Sequence, residues 1–372
     1  MPRYLIAGNL SYKEKQDMKL FFGHPEAEFM HLGPGKDVFG MERRSHREML
    51  ADARAGKYDL VILGSSKHPN FNPRKGWVRN LSNIVGKYLQ HPHLMADGAF
   101  PFARISTTVA ALDLEVNSIV DNRRFPHMEQ AACYFKRELP QNPCNAFLYT
   151  HPKAECTGNI MRTEPFRHWV PKLRPISLGI ADDRAAKLAD LNLPKTTDIF
   201  FAGTLAERPN RISGIQHLER LKAEGFKVDM PTDRLPFDEF IQRCAQAHLV
   251  WSPEGMGWDC YRHYEIAAAG SVPLLQICPL FSHQPFVDNE TAIFYPLEGD
   301  GLIARIRRAL KDRPRLVAMG QATRQHVLKW HTHLALSRYV IEETFRTVGE
   351  NRQRSASGSP HGPGPVAEGA TA

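Results

Sequence analysis

The chain has 372 residues, 42% of them hydrophobic, enough for two domains of ordinary size that each bury a core. Its 48 Lys and Arg against 40 Asp and Glu leave a formal charge of +8, which favours anionic ligands such as nucleotides, acidic glycans or lipid headgroups. The basic residues are scattered without aromatic interleaving, which argues against nucleic acid as a partner. The 6 cysteines form no CxxC pair and fit no zinc spacing, so they read as reduced thiols of a cytoplasmic protein, and no apolar stretch reaches membrane-spanning length.

The first apolar run, Tyr4-Leu5-Ile6-Ala7, reads as a strand ending at Gly8-Asn9 rather than as a signal peptide. Residues 28–32 give a second strand, Arg44 to Ala55 a helix, and Tyr58 to Leu63 a strand closed by Gly64-Ser65-Ser66. Val78, Leu81, Val85 and Tyr88 mark a helix, and Ala96-Asp97-Gly98 and Ala146 to Tyr149 lie in or beside later strands. Phe135-Lys136-Arg137-Glu138-Leu139 reads as a helix with paired surface charges. The proline-rich stretch from about 150 to 195 reads as partly structure of the first half and partly interdomain linker.

The second half is clearer. Asp198 to Ala202 is a strand ending at Gly203-Thr204, and Ile212, Ile215, Leu218 and Leu221 recur at helical spacing up to Gly225. A strand at 227–230, an amphipathic helix on Phe237, Phe240, Ile241 and Cys244, and strands near Leu249, Val272 and Ile293 follow. Leu302, Ile303, Ile306 and Leu310 make another helix, and a last one beginning near Trp330 carries Leu334, Ile341 and Phe345 on one face. The alternation predicts an α/β protein with parallel sheets covered on both faces. Beyond residue 350 the Ser-, Gly-, Pro- and Ala-rich chain cannot bury apolar surface and reads as a disordered tail.

The segment Leu249 to Leu275 is the most telling. A buried strand ends at Ser252-Pro253, a loop with Gly255 and Gly257 follows, and Asp259 is placed to cap a helix bearing Arg262, His263 and Glu265. A strand, a glycine loop and a helix N-terminus together form an anion cradle. Upstream, Gly203 and Thr204 form a second strand-to-helix turn, with Arg208 and Arg211 placed to grip phosphate.

Ser252-Pro253-Glu254-Gly255 through Asp259, Arg262, Glu265, Gly270 and Pro273 resembles the donor-binding segment of GT-B glycosyltransferases, closest to exostosin-like and bacterial family-1-like enzymes. The resemblance implies two Rossmann-like domains facing each other across a cleft. Their expected spans are 1–175 for the acceptor side and 176–332 for the donor side, with 333–349 as a helix crossing back and 350–372 as the tail. It implies that Glu265 holds the donor ribose, with Arg262 one turn earlier, in a set completed by Gly203, Thr204, Arg208, Arg211, Ser252, Glu254, Gly255, Asp259 and Tyr261. One departure is the run Ala267-Ala268-Ala269-Gly270, where many GT-B donor motifs carry a further glutamate.

The expected activity is transfer of a sugar from a nucleotide diphosphate sugar to a hydroxyl of a glycan, lipid or protein. No DxD sequence occurs, so the expected mechanism uses arginines and helix N–H groups in place of metal, with no cofactor. Asp97, at a strand end, is the candidate general base, and His24 and His151 are alternatives. The basic charge also admits peripheral contact with the inner face of a membrane. The competing expectations are a non-catalytic nucleotide or sugar-nucleotide binding protein and a dinucleotide-dependent oxidoreductase; no GxGxxG opens either half, which disfavours the latter.

Overall fold

A computed structural model describes residues 2–8, 10, 18–32, 37–64, 105–121, 124–148, 164–203 and 209–356. Among these, two sheets form, and both are parallel throughout. The first contains β1 (Tyr4–Gly8), β2 (Ala27–His31), β3 (Leu60–Leu63), β4 (Thr108–Asp113), β5 (Cys133–Lys136) and β6 (Leu173–Pro175) in the order β2-β1-β3-β4-β5-β6. The second contains β7 (Thr197–Phe200), β8 (Val228–Asp229), β9 (Ala247–Ser252), β10 (Val272–Gln276) and β11 (Ile293–Tyr295) in the order β11-β10-β9-β7-β8. Each sheet places its second strand outside its first and its third on the other side, so each has one point where the winding reverses.

Short β-branched and aromatic runs become strands buried on both faces because successive side chains alternate between two cores. Leu5 and Ala7 face one core of the first sheet with Leu50 of α1 (His46–Arg54) and Met128 of α2 (Phe125–Gln130), while Tyr4 and Ile6 face the other. In the second sheet Phe200 and Val250 pack under α3 (Asp182–Ala189), α4 sits opposite (Pro209–Ala223), α5 (Phe237–Gln246) and α6 (Tyr261–Ala268) share the α3 side, and Ile199, Leu249 and Trp251 face α4 and α7 (Gly301–Ala309).

The chain passes between the halves at 176–180 and again between α8 (Arg313–Trp330) and α9 (His333–Ala356), and the two passages pair: Ile180 N–H donates to the His331 carbonyl at 2.8 Å, and His333 N–H to the Ile180 carbonyl at 2.9 Å. Gly179 has φ +63°, and a side chain there would collide with the His331 backbone, so this passage requires glycine. α9 then lays Leu336, Val340 and Ile341 into the core of the first sheet beside Ile6 and Phe21.

Several expectations change. Phe135-Lys136-Arg137-Glu138 is no surface helix: residues 133–136 are the buried strand β5, because a β-rich run between two strands gains more by pairing on both edges. Residues 143–147 form a 3-10 turn rather than a strand. The last helix begins at His333 and continues to Ala356, past the expected boundary at 349; its buried stripe is Leu336, Val340, Ile341 and Thr344, while Phe345 is 38% exposed. β4, β6, α3 and α8 carried no recognised sequence signal. The expected helix at Val78 to Tyr88, the stretch Ala96-Asp97-Gly98 and the tail from residue 357 lie outside the described residues. Among the described residues no helix is long and apolar enough to cross a membrane.

Candidate functional site

Ligands of doubly wound sheets sit beyond the carboxyl ends of the strands where the winding reverses. In the second sheet that point lies between β7 and β9, and the turns leaving those strands are Gly203 and Ser252-Pro253-Glu254. Arg262, in the first turn of α6, reaches across this crevice. Its Nε donates to Ser252 Oγ at 2.9 Å and its Nη2 to the Pro253 carbonyl at 2.6 Å. A Cβ on Gly203 would lie 3.0 Å from Arg262 Nη1, so the bare backbone leaves room for the guanidinium.

Arg211, on α4, donates through Nη2 to the Glu254 carbonyl at 2.6 Å, and Asn210 Nδ2 donates to Glu254 Oε1 at 2.9 Å. Ser252 Oγ also lies 2.7 Å from His263 Nδ1, while His263 Nε2 is 2.9 Å from the Trp258 carbonyl. A carbonyl only accepts, so the proton sits on Nε2 and Nδ1 accepts from Ser252. Burial brings the His263 pKa down to about 4, and the ring is neutral at physiological pH.

Glu265 lies one turn beyond Arg262 on the same flank of α6. Its Oε1 accepts from Arg184 Nη1 of α3 at 2.8 Å, and its side chain is 13% exposed. Burial raises its pKa against the pull of Arg184 and Arg262. Tyr261 is partly buried and packs against the core under α6. Gly203, Arg211, Ser252, Glu254, Arg262 and Glu265 thus gather around one crevice. Thr204, Arg208 and the candidate base Asp97 lie outside the described residues, as does His151.

Asp259 does not cap α6. The cap position is Cys260, with no side-chain cap bond. Asp259 Oδ2 instead accepts from Leu178 N–H at 2.8 Å and Oδ1 from the Tyr264 hydroxyl at 2.7 Å, because the chain passage at 176–180 brings a competing backbone donor to it. His24 is likewise displaced from any catalytic place: its Nε2 is 2.7 Å from Ser337 Oγ on α9, and its ring packs against Tyr4 at the amino end of β1, opposite the edge where ligands bind.

Two residues of the first half complete the glycine loop. Glu138 Oε2 accepts from Trp258 N–H at 3.2 Å and Oε1 from Asp259 N–H at 3.1 Å. Arg137 donates to the Asp259 carbonyl and, at 3.2 Å, to the Leu114 carbonyl. A side chain at Gly257 would strike both. Gly255 closes the loop internally, its N–H donating to the Gly257 carbonyl at 2.9 Å. The sequence reading took Arg137 and Glu138 as paired surface charges of a helix; the signal it missed was a charged pair directly after the run Cys133-Tyr134-Phe135-Lys136, where a parallel strand delivers its carboxyl end to a cleft.

Beside them, Asp113 at the end of β4 accepts from the Tyr134 hydroxyl at 2.8 Å and lies 3.3 Å from Lys136 Nζ and 3.7 Å from Arg124 Nη2. Burial pushes its carboxyl up, but Arg124, Lys136 and Tyr134 overcome this and hold it at about 2.

No protein-family model and no curated protein sequence matches the chain. Among solved structures, a glycosyltransferase from Rickettsia africae ESF-5 is similar with a TM-score of 0.51 at 10% identity, covering 93% of this chain and 99% of that chain. A trehalose-phosphate synthase from Burkholderia xenovorans aligns with a TM-score of 0.48 at 10% identity, over 92% of this chain and 100% of its own. Anabaena HepE in complex with UDP aligns with a TM-score of 0.46 at 11% identity, over 92% and 99%. The likeness to the Rickettsia protein agrees with the two sheets described above: the chain has the GT-B fold, an α/β architecture of two Rossmann-like halves.

Proposed function

We propose that this protein is a glycosyltransferase that moves a sugar from a nucleotide diphosphate sugar to an acceptor hydroxyl without a catalytic metal. The observation that carries this reading is Arg262. It is a partly buried guanidinium at the winding reversal of the second sheet, and its hydrogen bonds go to the neutral oxygens of Ser252 and Pro253. No carboxylate lies within ion-pair range of it among the described residues. A cation held this way costs solvation that a bound anion restores. The donor diphosphate fits that role, between Arg262, Arg211 and the backbone N–H groups that open α6.

In this reading the arginines neutralise the charge that grows on the leaving diphosphate as the glycosidic bond breaks, the part played elsewhere by a divalent cation. Glu265 accepts hydrogen bonds from the ribose diol. Residues 1–175 supply the acceptor side, residues 176–332 hold the donor, and Asp97 is the proposed base that takes the acceptor proton. The acceptor is a glycan, lipid or protein hydroxyl, met in the cytoplasm or at the inner face of a membrane.

A calorimetric panel of nucleoside diphosphates and sugar nucleotides, followed by donor turnover with and without EDTA, tests this. Binding of a diphosphate and EDTA-resistant turnover are expected. Turnover abolished by EDTA and restored by magnesium or manganese would overturn the arginine mechanism. Binding without hydrolysis or transfer would leave a sugar-nucleotide binding protein.

A further inference from the structure

A cavity of about 150 Å³ opens beside the cradle, at the carboxyl ends of β9, β10 and β11. Two residues belong to both. The Ser252 hydroxyl that accepts from Arg262 also lines the cavity, and so does Glu254, whose main-chain oxygen holds Arg211. The cradle and the cavity therefore share the wall that these two residues form.

The cavity wall carries hydrogen-bonding capacity that the described residues do not use. Glu254 Oε2 is buried and has no hydrogen-bond partner among the described residues, although Oε1 is taken by Asn210. Gln276, the last residue of β10, is 5% exposed, and neither its amide nitrogen nor its amide oxygen has a partner among the described residues. Leaving a buried amide unpaired is costly, and a sequence that keeps one beside a cavity retains a donor and an acceptor for something that enters. The indole of Trp258 and the ring of Phe294 supply apolar walls. Apolar faces with a few placed polar groups suit a ring that is hydrocarbon on its faces and hydroxylated at its edge.

The cavity lies on the flank of α6 that carries His263 and Tyr264, whereas Arg262 and Glu265 project from the opposite flank. The rim is held rigid. Gln284 has φ +43°, and its carbonyl lies 2.9 Å from both His326 Nε2 and His331 Nε2.

We propose that this cavity receives the sugar half of the donor and that Gln276 reads one of its hydroxyl or acetamido substituents, so that Gln276 sets which sugar is accepted. The proposal rests on the donor reading of the cradle. It is tested by titrating wild type and Gln276→Met calorimetrically with UDP and GDP, and with UDP-glucose, UDP-galactose, UDP-N-acetylglucosamine and GDP-mannose. Methionine keeps the length of the side chain and removes both polar atoms. The unliganded variant should melt at or above the wild-type temperature, because an unpaired buried amide has been removed, which a structural role for Gln276 would not produce. It should bind the free diphosphate as wild type does and lose about tenfold in affinity for the preferred sugar nucleotide. Gln276→Leu repeats the comparison if methionine overfills the site. Equal affinity for the sugar nucleotide in wild type and variant, an equal loss for sugar nucleotide and free diphosphate, or wild-type binding of diphosphates but of none of the four sugar nucleotides would each overturn the assignment of Gln276. Absence of any diphosphate binding to wild type would instead remove the cradle reading, and this proposal with it.

Discussion

The two sheets wind in the same order and present the same carboxyl-terminal edge to the space between them, yet they treat charge there in opposite ways. At the edge of the first sheet the charges answer one another. Asp113 is met by Lys136, Arg124 and the Tyr134 hydroxyl, and Arg137 lies 3.4 Å from Glu138 while both engage the loop at 257–259. At the edge of the second sheet Arg262 is held by neutral oxygens. The same winding order therefore yields one edge whose charges hold it and its neighbour, and one edge where Arg262 bonds neutral oxygens, the edge proposed to receive the donor. Topology says where a site can be; the partners of its charges say which edge binds an anion.

The largest expected effect falls on the second edge. Arg262→Met should lower affinity for a nucleoside diphosphate by about 4 kcal/mol, close to a thousandfold, while the protein still folds. Calorimetry of the purified variant measures it, and affinity within a few-fold of wild type would erase the contrast between the edges.

The first edge should answer in stability before it answers in affinity. Glu138→Ala leaves Arg137 and two loop N–H groups without their carboxylate, at a cost of about 3 kcal/mol of folding free energy by chemical denaturation. Its loss of nucleotide affinity should be smaller than that of Arg262→Met. The reverse ranking would mean that Glu138 belongs to the binding edge.

Asp113 sharpens the same point through pH. Its folded pKa of about 2 lies below the ordinary 3.8, so its ionised form stabilises the fold above pH 4, and that contribution disappears as pH falls toward 2. The loss amounts to about 2 kcal/mol. Denaturation curves collected between pH 5 and pH 2 should fall more steeply for wild type than for Asp113→Asn, and parallel curves would show that the cluster does not hold Asp113 ionised.

The smallest effect is expected at Glu265. Glu265→Gln should cost about 1.5 kcal/mol of nucleotide affinity, with little change in melting temperature, through loss of a charge-assisted hydrogen bond. If the variant bound a nucleoside diphosphate as tightly as wild type, Glu265 would be only the partner of Arg184.

Much of the second edge was legible in the sequence because its signals are local. Ser252-Pro253 ends a strand by removing a ladder donor, and Gly270, with φ +77°, closes the helix as its left-handed cap. Arg262 and Glu265 share a helix flank at i, i+3 spacing. Asp259 was misread for the same reason: its spacing suits a cap, and only the backbone of Leu178, 81 residues away, draws its carboxylate elsewhere.

The sequence by itself thus determined the α/β alternation, the parallel sheets buried on both faces, and the placing of Ser252, Glu254, Arg262 and Glu265 in one strand-loop-helix segment. These follow from backbone propensity and side-chain periodicity, which act over a few residues. Tertiary structure alone decided that Arg137 and Glu138 leave the end of a buried strand to grip the loop at 257–259. It also decided that α9 buries Leu336 and Val340 rather than Phe345, and that Gln276 ends β10 against a cavity with an amide that no described residue answers. Each of these depends on which groups from distant parts of the chain meet when burial and hydrogen bonding are satisfied together, and a contact across more than 100 residues leaves no periodic trace along the chain.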